Sequence, residues 1–184
     1  MNASTLDSPS KITGTHSRLS MSIVSHNQGS LIRQLLSDLR ELNPPCDEIL
    51  LTLNIPEDES FLDQFCDLPI RIIRNIRRKG FGANHNAAFE LATGDYFAVV
   101  NPDIRLHGFS TTLLTDLLDN PRIGIAAPIV YSCEGEIQDS ARRFPTFFRL
   151  VQRKLSSQTG PDYVIENSPI KVDWVAGMFM VFRS

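Results

Sequence analysis

The chain has 184 residues, 42% hydrophobic and 21% charged, with a net charge of -3; that is enough for one domain with a substantial core. So mild an acidity gives no case for nucleic acid as a partner, since a polyanionic backbone favours strongly basic faces. No apolar run reaches the roughly 18 residues of a membrane-crossing helix, and Cys46, Cys66 and Cys133 sit in no metal-ligand spacing, which fits reduced thiols in a cytoplasmic protein.

Residues 1–20 are rich in Ser and Thr without an apolar centre. They read as a disordered leader rather than a secretory signal, leaving residues 21–184 for the domain. Ser22 to Ser25 is a short apolar run and the first buried strand. His26-Asn27-Gln28-Gly29 then makes a turn, and Ser30 can cap the next helix. In that helix Leu31, Ile32, Leu35, Leu36, Leu39 and Leu42 repeat at helical spacing, and Asn43-Pro44-Pro45 ends it.

Glu48 to Leu53 is a second strand, followed by an acidic loop over 56–60, a short helix around Phe61 to Phe65 and a third strand, Ile70 to Arg74. Gly80-Phe81-Gly82 runs into a short amphipathic helix that stops at Gly94. Tyr96 to Val100 is almost wholly apolar, so it reads as a central strand covered on both faces. It delivers Asn101-Pro102-Asp103. Ser110 to Leu118 is an amphipathic helix stopped by Asn120-Pro121, and Ile123 to Tyr131 reads as a further strand. This alternation predicts an α/β domain: an open, mostly parallel sheet with helices on both faces.

The tip of the fourth strand carries the chemistry. Open α/β sheets handle ligands at the carboxyl ends of their strands. Asp103, opposite a glycine-bearing turn, can there hold a divalent cation against a diphosphate. Gly80, Gly82 and Asn84 suit a close approach of backbone to a polar ligand, and Arg77, Arg78 and Lys79 can meet phosphate. There is no G-x-G-x-x-G and no Walker lysine motif, so dinucleotide and ATP sites lose their main support.

From Arg78 to Leu106 the chain resembles the core of family 2 glycosyltransferases, in their rhamnosyltransferase-like branch. Gly80, Phe81, Asn84, Ala88, Ala92, Gly94, Asp95, Asn101, Pro102, Asp103 and Leu106 carry the match, and the likeness extends from about Met21 to Arg183. It implies a GT-A-type, Rossmann-like fold and an inverting, metal-assisted transferase. Such an enzyme moves a sugar, here rhamnose, from a dTDP- or UDP-linked donor to a polysaccharide, glycan or lipid-linked acceptor. Asp103 would bind Mg2+ or Mn2+. Ser25, His26, Asn27, Asn54, Arg78, Gly80, Gly82, Asn84 and Asn101 would surround the donor.

Two positions depart from the commoner family pattern. Asn101 stands where many relatives have a first aspartate, and Leu53 replaces a carboxylate that contacts the base or ribose. Gly135 to Gln138 and Ser140 to Pro145 resemble the segment after the fifth strand, where Arg142 and Arg143 can meet anions. Val172 to Val181 resembles the acceptor-side element, with Asp173 and Trp174 at the acceptor mouth and Gly177 giving close backbone passage. The family's general base follows this element, whereas the chain ends at Ser184. Asp173 is then the carboxylate left for base catalysis, and the domain reads as C-terminally incomplete.

The aromatic and basic run from Phe144 to Leu155 is either a helix packed on the sheet or a peripheral contact with the inner membrane face. Two other functions stand beside the transferase. One is a truncated, non-catalytic module binding a nucleotide-sugar or a protein. The other is a nucleotidyltransferase, for which Ser25 to Ser30 lacks the glycine- and arginine-rich signature.

Overall fold

Small serines alternate with apolar residues in the segment LSMSIVS, and that alternation sets the two faces of the sheet. In the computed structural model, which describes residues 17–42, 45–138, 140–144, 162–163 and 168–184, this segment is strand β1, Leu19–Ser25. Leu19, Met21 and Ile23 enter the main core, while Ser20 and Ser22 turn to the opposite face and are equally buried. β1 therefore begins inside the segment expected to be leader. Ser20 interrupts the apolar run without leaving the interior. Residues 1–16 of that leader, Asn43-Pro44 and residues 145–155 lie outside the described residues.

Strands β2 (Glu48–Leu53), β3 (Ile70–Arg74) and β4 (Tyr96–Val100) have the bounds expected from sequence. β2 and β4 pair in parallel on either side of β1, and β3 pairs in parallel with β2. The chain continues through β5 (Ile125–Ala126), β6 (Ala141–Arg142), β7 (Trp174–Val175) and β8 (Phe179–Arg183). β8 lies antiparallel between β4 and β5, giving the order β3-β2-β1-β4-β8-β5, and β6 pairs with β7 in a separate ribbon.

Helix α1 (Gly29–Arg40) covers one face: Ile32, Leu35, Leu36 and Leu39 join Met21, Ile23, Ile49, Leu51, Ala98 and Val100 in the main core. Helix α3 (Thr112–Leu118) adds Leu114 and Leu118 to the same side. Helix α2 (Phe81–Phe89) covers the other face, where Ala88 packs with Leu50, Phe97 and Val99. The observed fold is thus the open, mostly parallel α/β sheet with helices on both faces that the alternation predicts. Each fully buried Leu or Ile contributes about 1.5–3 kcal/mol.

Four local expectations change. Ser30 is not the cap of α1; that place falls to Gln28, whose carbonyl accepts from the N–H groups of Leu31 and Ile32. α2 ends at Phe89 rather than running to Gly94, because Leu91 and Ala92 donate to the carbonyls three residues back and tighten the last turn. Its buried face is Asn84, His85 and Ala88, not an apolar stripe. The strand expected over Ile123 to Tyr131 shrinks to β5, since Pro128 has no N–H to offer a ladder.

Gly94 has a packing reason to be glycine. A Cβ there would stand 2.7 Å from the backbone nitrogen of Ser20. Its own N–H donates to Ser20 Oγ at 2.9 Å, which clips the α2–β4 connection onto β1.

Candidate active site

β1 has β2 on one side and β4 on the other, so the connections leave its carboxyl end in opposite directions and open a crevice there. A cleft of about 270 Å3 occupies that point, near the low end of small-molecule sites. The end of β1 contributes Val24, His26 and Gln28, and the end of β2 contributes Asn54. α2 adds Phe81, Asn84 and His85, and the tip of β4 adds Val100 to Asp103.

The turn after β1 is held in an uncommon conformation. Asn27 has φ 61°, a left-handed value that Asn tolerates better than most side chains. Glu57 secures it: one carboxylate oxygen accepts from Ser25 Oγ at 2.7 Å and the other from Asn27 N–H at 3.4 Å. Ser25 Oγ accepts in turn from Gln28 N–H at 3.2 Å. Ser25 and Asn27 therefore shape the turn, and the exposed His26 between them lines the cleft.

The end of β2 is tied just as firmly to the loop before α2. Asn54 Oδ1 accepts from Lys79 N–H at 2.8 Å and from Asn75 Nδ2 at 2.9 Å. Its Nδ2 donates to the Lys79 carbonyl at 3.0 Å and to His26 Nδ1 at 3.3 Å. Asn75 Nδ2 also donates to Asn84 Oδ1 at 2.6 Å, and Asn84 Nδ2 donates back to the Lys79 carbonyl at 3.3 Å. Both donors and both acceptor sites of the Asn54 amide are engaged. Asn54, expected beside the nucleoside, lines the cleft and also holds His26 and the Lys79 loop.

Arg77, Arg78 and Lys79 are exposed on that loop. Gly80 is the extended residue that starts α2, and a Cβ on Gly80 or Gly82 would meet nothing within 4 Å. Neither glycine is demanded by the protein's own packing. Across the cleft, Asn101 N–H donates to the Met178 carbonyl at 2.9 Å. The following loop is anchored to α1 through Arg105 and Leu106 on Asp38. Asp103 stands exposed at the cleft's rim.

Asp173, Trp174 and Gly177 are not part of this lining, though Gly177 packs against Phe81, which is. Asp173 accepts from Phe144 N–H at 3.0 Å, and its own N–H donates to the Tyr163 hydroxyl at 3.1 Å. Trp174, on β7, stacks under the Arg142 guanidinium 5.7 Å from its ring centre. At Gly177 a Cβ would stand 3.3 Å from the Phe81 ring. Leu53, at the position of the missing carboxylate, is buried in the main core.

His85 was not legible as a site residue. Its Nδ1 lies 2.8 Å from Ser22 Oγ, its ring meets Phe81 in a T-shaped contact at 4.5 Å, and burial pushes its pKa down to about 4. The signal available in sequence was a polar pair, Asn84-His85, on the inward face of a helix whose other inward residue is Ala88.

Among the described residues no three His, Cys, Asp or Glu side chains converge as a ready-made metal centre. Asp103 and Asn101 offer one carboxylate and one neutral carbonyl. That set fits a hard divalent cation whose other ligands are phosphate oxygens and water.

The sequence model described as "Glycosyl transferase family 2" matches residues 20–179. Two solved structures share the fold. One is the mannosyltransferase PcManGT from Pyrobaculum calidifontis in complex with GDP-Man and Mn2+, with a TM-score of 0.55 and 19% identity over 64% of this chain and 36% of that one. The other is S. aureus TarS 1-349, with a TM-score of 0.52 and 14% identity over 90% of this chain and 47% of that one. The chain spans less than half the length of either. Their likeness bears out the GT-A-type, Rossmann-like fold. No curated protein matches the chain.

Proposed function

The chain belongs to glycosyl transferase family 2, and from that premise we propose that it transfers a sugar from a nucleotide-diphosphate donor to a polysaccharide or glycan acceptor, with inversion. The observation that carries this reading is the cleft at the sheet's switch point, with His26 and Asn84 on one wall and Asn101 and Asp103 on the other. We take rhamnose as the sugar and dTDP or UDP as the carrier, on the match from Gly80 to Leu106. The mannosyltransferase that shares the fold was solved with GDP-Man and Mn2+, which supports a nucleotide-sugar and a divalent cation here.

In this reading the acceptor hydroxyl oxygen attacks the anomeric carbon as its bond to the phosphate oxygen breaks. The electron pair leaves with the nucleoside diphosphate, and the single displacement inverts the centre. Asp103 and Asn101 would hold Mg2+ or Mn2+, which neutralises charge on the departing diphosphate. Arg78 and the start of α2, from Gly80 to Asn84, would face the same group. The acceptor's proton goes to a carboxylate, for which Asp173 is the acceptor-side candidate; the Phe144 N–H holds one of its oxygens. Trp174 and Gly177 complete that side.

No described helix is long and apolar enough to cross a membrane. We place the reaction in the cytoplasm, with a lipid-linked acceptor met at the inner face of the membrane.

The test is release of nucleoside diphosphate from dTDP-rhamnose and from UDP-sugars, with Mn2+ and a glycan acceptor. Acceptor-dependent release, lost in Asp103→Ala and with Asp173→Asn binding donor but not turning over, is the expected result. Release no faster than in buffer with every donor and acceptor would overturn the reading.

A further inference from the structure

Among the described residues that line the cleft, one buried side-chain nitrogen has no hydrogen-bond partner. His85 is 5% exposed and lines the cleft, yet its Nε2 has no hydrogen-bond partner among the described residues. A buried polar nitrogen left unpaired is unfavourable, and native proteins seldom keep one without use.

The other ring nitrogen fixes what Nε2 offers. Ser22 projects from β1 toward α2, and its Oγ lies 2.8 Å from His85 Nδ1. The backbone of Ser22 is engaged in the ladders to β2 and β4. The hydroxyl's one proton is best used toward Nδ1, which leaves the ring hydrogen on Nε2. Burial keeps the ring neutral at ordinary pH. With the Ser22 hydroxyl donating to Nδ1, the ring hydrogen sits on Nε2 and His85 offers a desolvated N–H donor. Phe81, packed against that ring, is itself half-exposed at the cleft.

His26 repeats the pattern at the mouth of the same cleft. Its Nδ1 accepts from the Asn54 amide, so its Nε2 also carries the hydrogen. The cleft then presents two imidazole N–H donors, one exposed and one buried, toward a ligand rich in acceptors.

We propose that His85 is a donor-recognition residue, whose Nε2–H bonds an oxygen of the bound nucleoside diphosphate at the inner wall of the cleft. This rests on the donor reading of the cleft given above. The oxygen belongs either to the pyrimidine base or to a phosphoryl group. Because the ring is desolvated, a ligand lacking an acceptor there leaves the N–H unpaired, which turns one hydrogen bond into selectivity.

Two substitutions separate this role from packing. His85→Asn keeps a polar partner for Ser22 near the Nδ1 position and removes the Nε2 donor. His85→Gln keeps an N–H near the Nε2 position. Calorimetric titration would use UDP, dTDP, uridine, thymidine and pyrophosphate, each with Mn2+, on all three proteins. We expect His85→Asn to bind nucleoside diphosphates roughly tenfold more weakly and His85→Gln to stay within about threefold of wild type. A loss shared by the nucleosides identifies a base oxygen; a loss shared by pyrophosphate identifies a phosphoryl oxygen.

Wild-type binding with His85→Asn unimpaired overturns this inference alone. Absence of any binding by the folded wild type overturns the donor reading with it. As a readout that needs no variant, the His85 15Nε2 resonance of the wild type should move on adding UDP or dTDP. A resonance that stays fixed while the ligand binds also overturns the proposal.

Discussion

Arg105 grips Asp38 with a two-pronged hydrogen bond, Nε–H to Oδ2 at 2.8 Å and Nη2–H to Oδ1 at 2.9 Å, and Leu106 N–H shares Oδ2 at 2.9 Å. The contact joins α1 to the loop directly behind Asp103, so it sets where that carboxylate stands. Burial raises the pKa of Asp38, but the Arg105 and Leu106 hydrogen bonds and the nearby cations outweigh it and hold the carboxyl below its usual value.

Asp38→Ala should therefore cost about 2 kcal/mol in urea unfolding and weaken metal-dependent donor binding together with it. The link should be fully present above the unfolded carboxyl's pKa of about 4 and fade as pH falls through the lower folded value. A variant with unchanged stability and donor affinity would show that the loop is held by something else.

Asn54→Asp replaces the amide nitrogen that faces the Lys79 carbonyl and His26 Nδ1 with an oxygen, setting acceptor against acceptor at the carbonyl. It should lower the melting temperature more than Asn54→Ala does, and both should weaken donor binding by freeing the loop before α2. Equal melting temperatures for Asp and Ala would contradict the assigned hydrogen-bond directions.

The glycines divide by packing. Gly94→Ala places a Cβ 2.7 Å from the Ser20 nitrogen and should destabilise by about 2 kcal/mol or more, since backbone must give way. Gly80→Ala and Gly82→Ala meet open space and should stay within about 0.5 kcal/mol of wild type without ligand. Gly177→Ala should displace the Phe81 ring, 3.3 Å from the new Cβ. Melting temperatures of the four variants check the ordering.

His85 gives stability a pH signature. Its folded pKa, about 4, lies below the ordinary value of 6.5, so between those limits the unfolded chain binds a proton that the folded chain does not. Its contribution is complete above about pH 6.5 and declines as pH falls toward 4, by up to about 3 kcal/mol. Over that window the wild type should lose more stability than His85→Asn. Parallel curves would place the imidazole in contact with water.

The strands β2, β3 and β4 were legible to the residue because each is a short apolar run flanked by polar, Gly or Pro breakers. The insertion of β8 between β4 and β5 was not, because strand order is decided by packing across the whole sheet. The same division holds in the site. Asn101 to Asp103 could be located because a buried strand must end in a tip. The inward use of Asn54, and the pairing of His85 with Ser22 across 63 residues, depend on which elements the fold brings together. A lone histidine on a short helix carries no periodic signal.

The most direct test of the donor site is a thermal-melt titration of wild type and Asp103→Ala with dTDP-rhamnose and UDP-sugars, each with and without Mn2+. A donor at about a hundred times its dissociation constant should add roughly 2.7 kcal/mol of stability, which raises the melting temperature of a domain this size by about 5–11 °C. The expected result is a metal-dependent rise with one carrier nucleotide that disappears in Asp103→Ala. A wild type that melts at the same temperature with every donor, metal present or absent, would contradict the account.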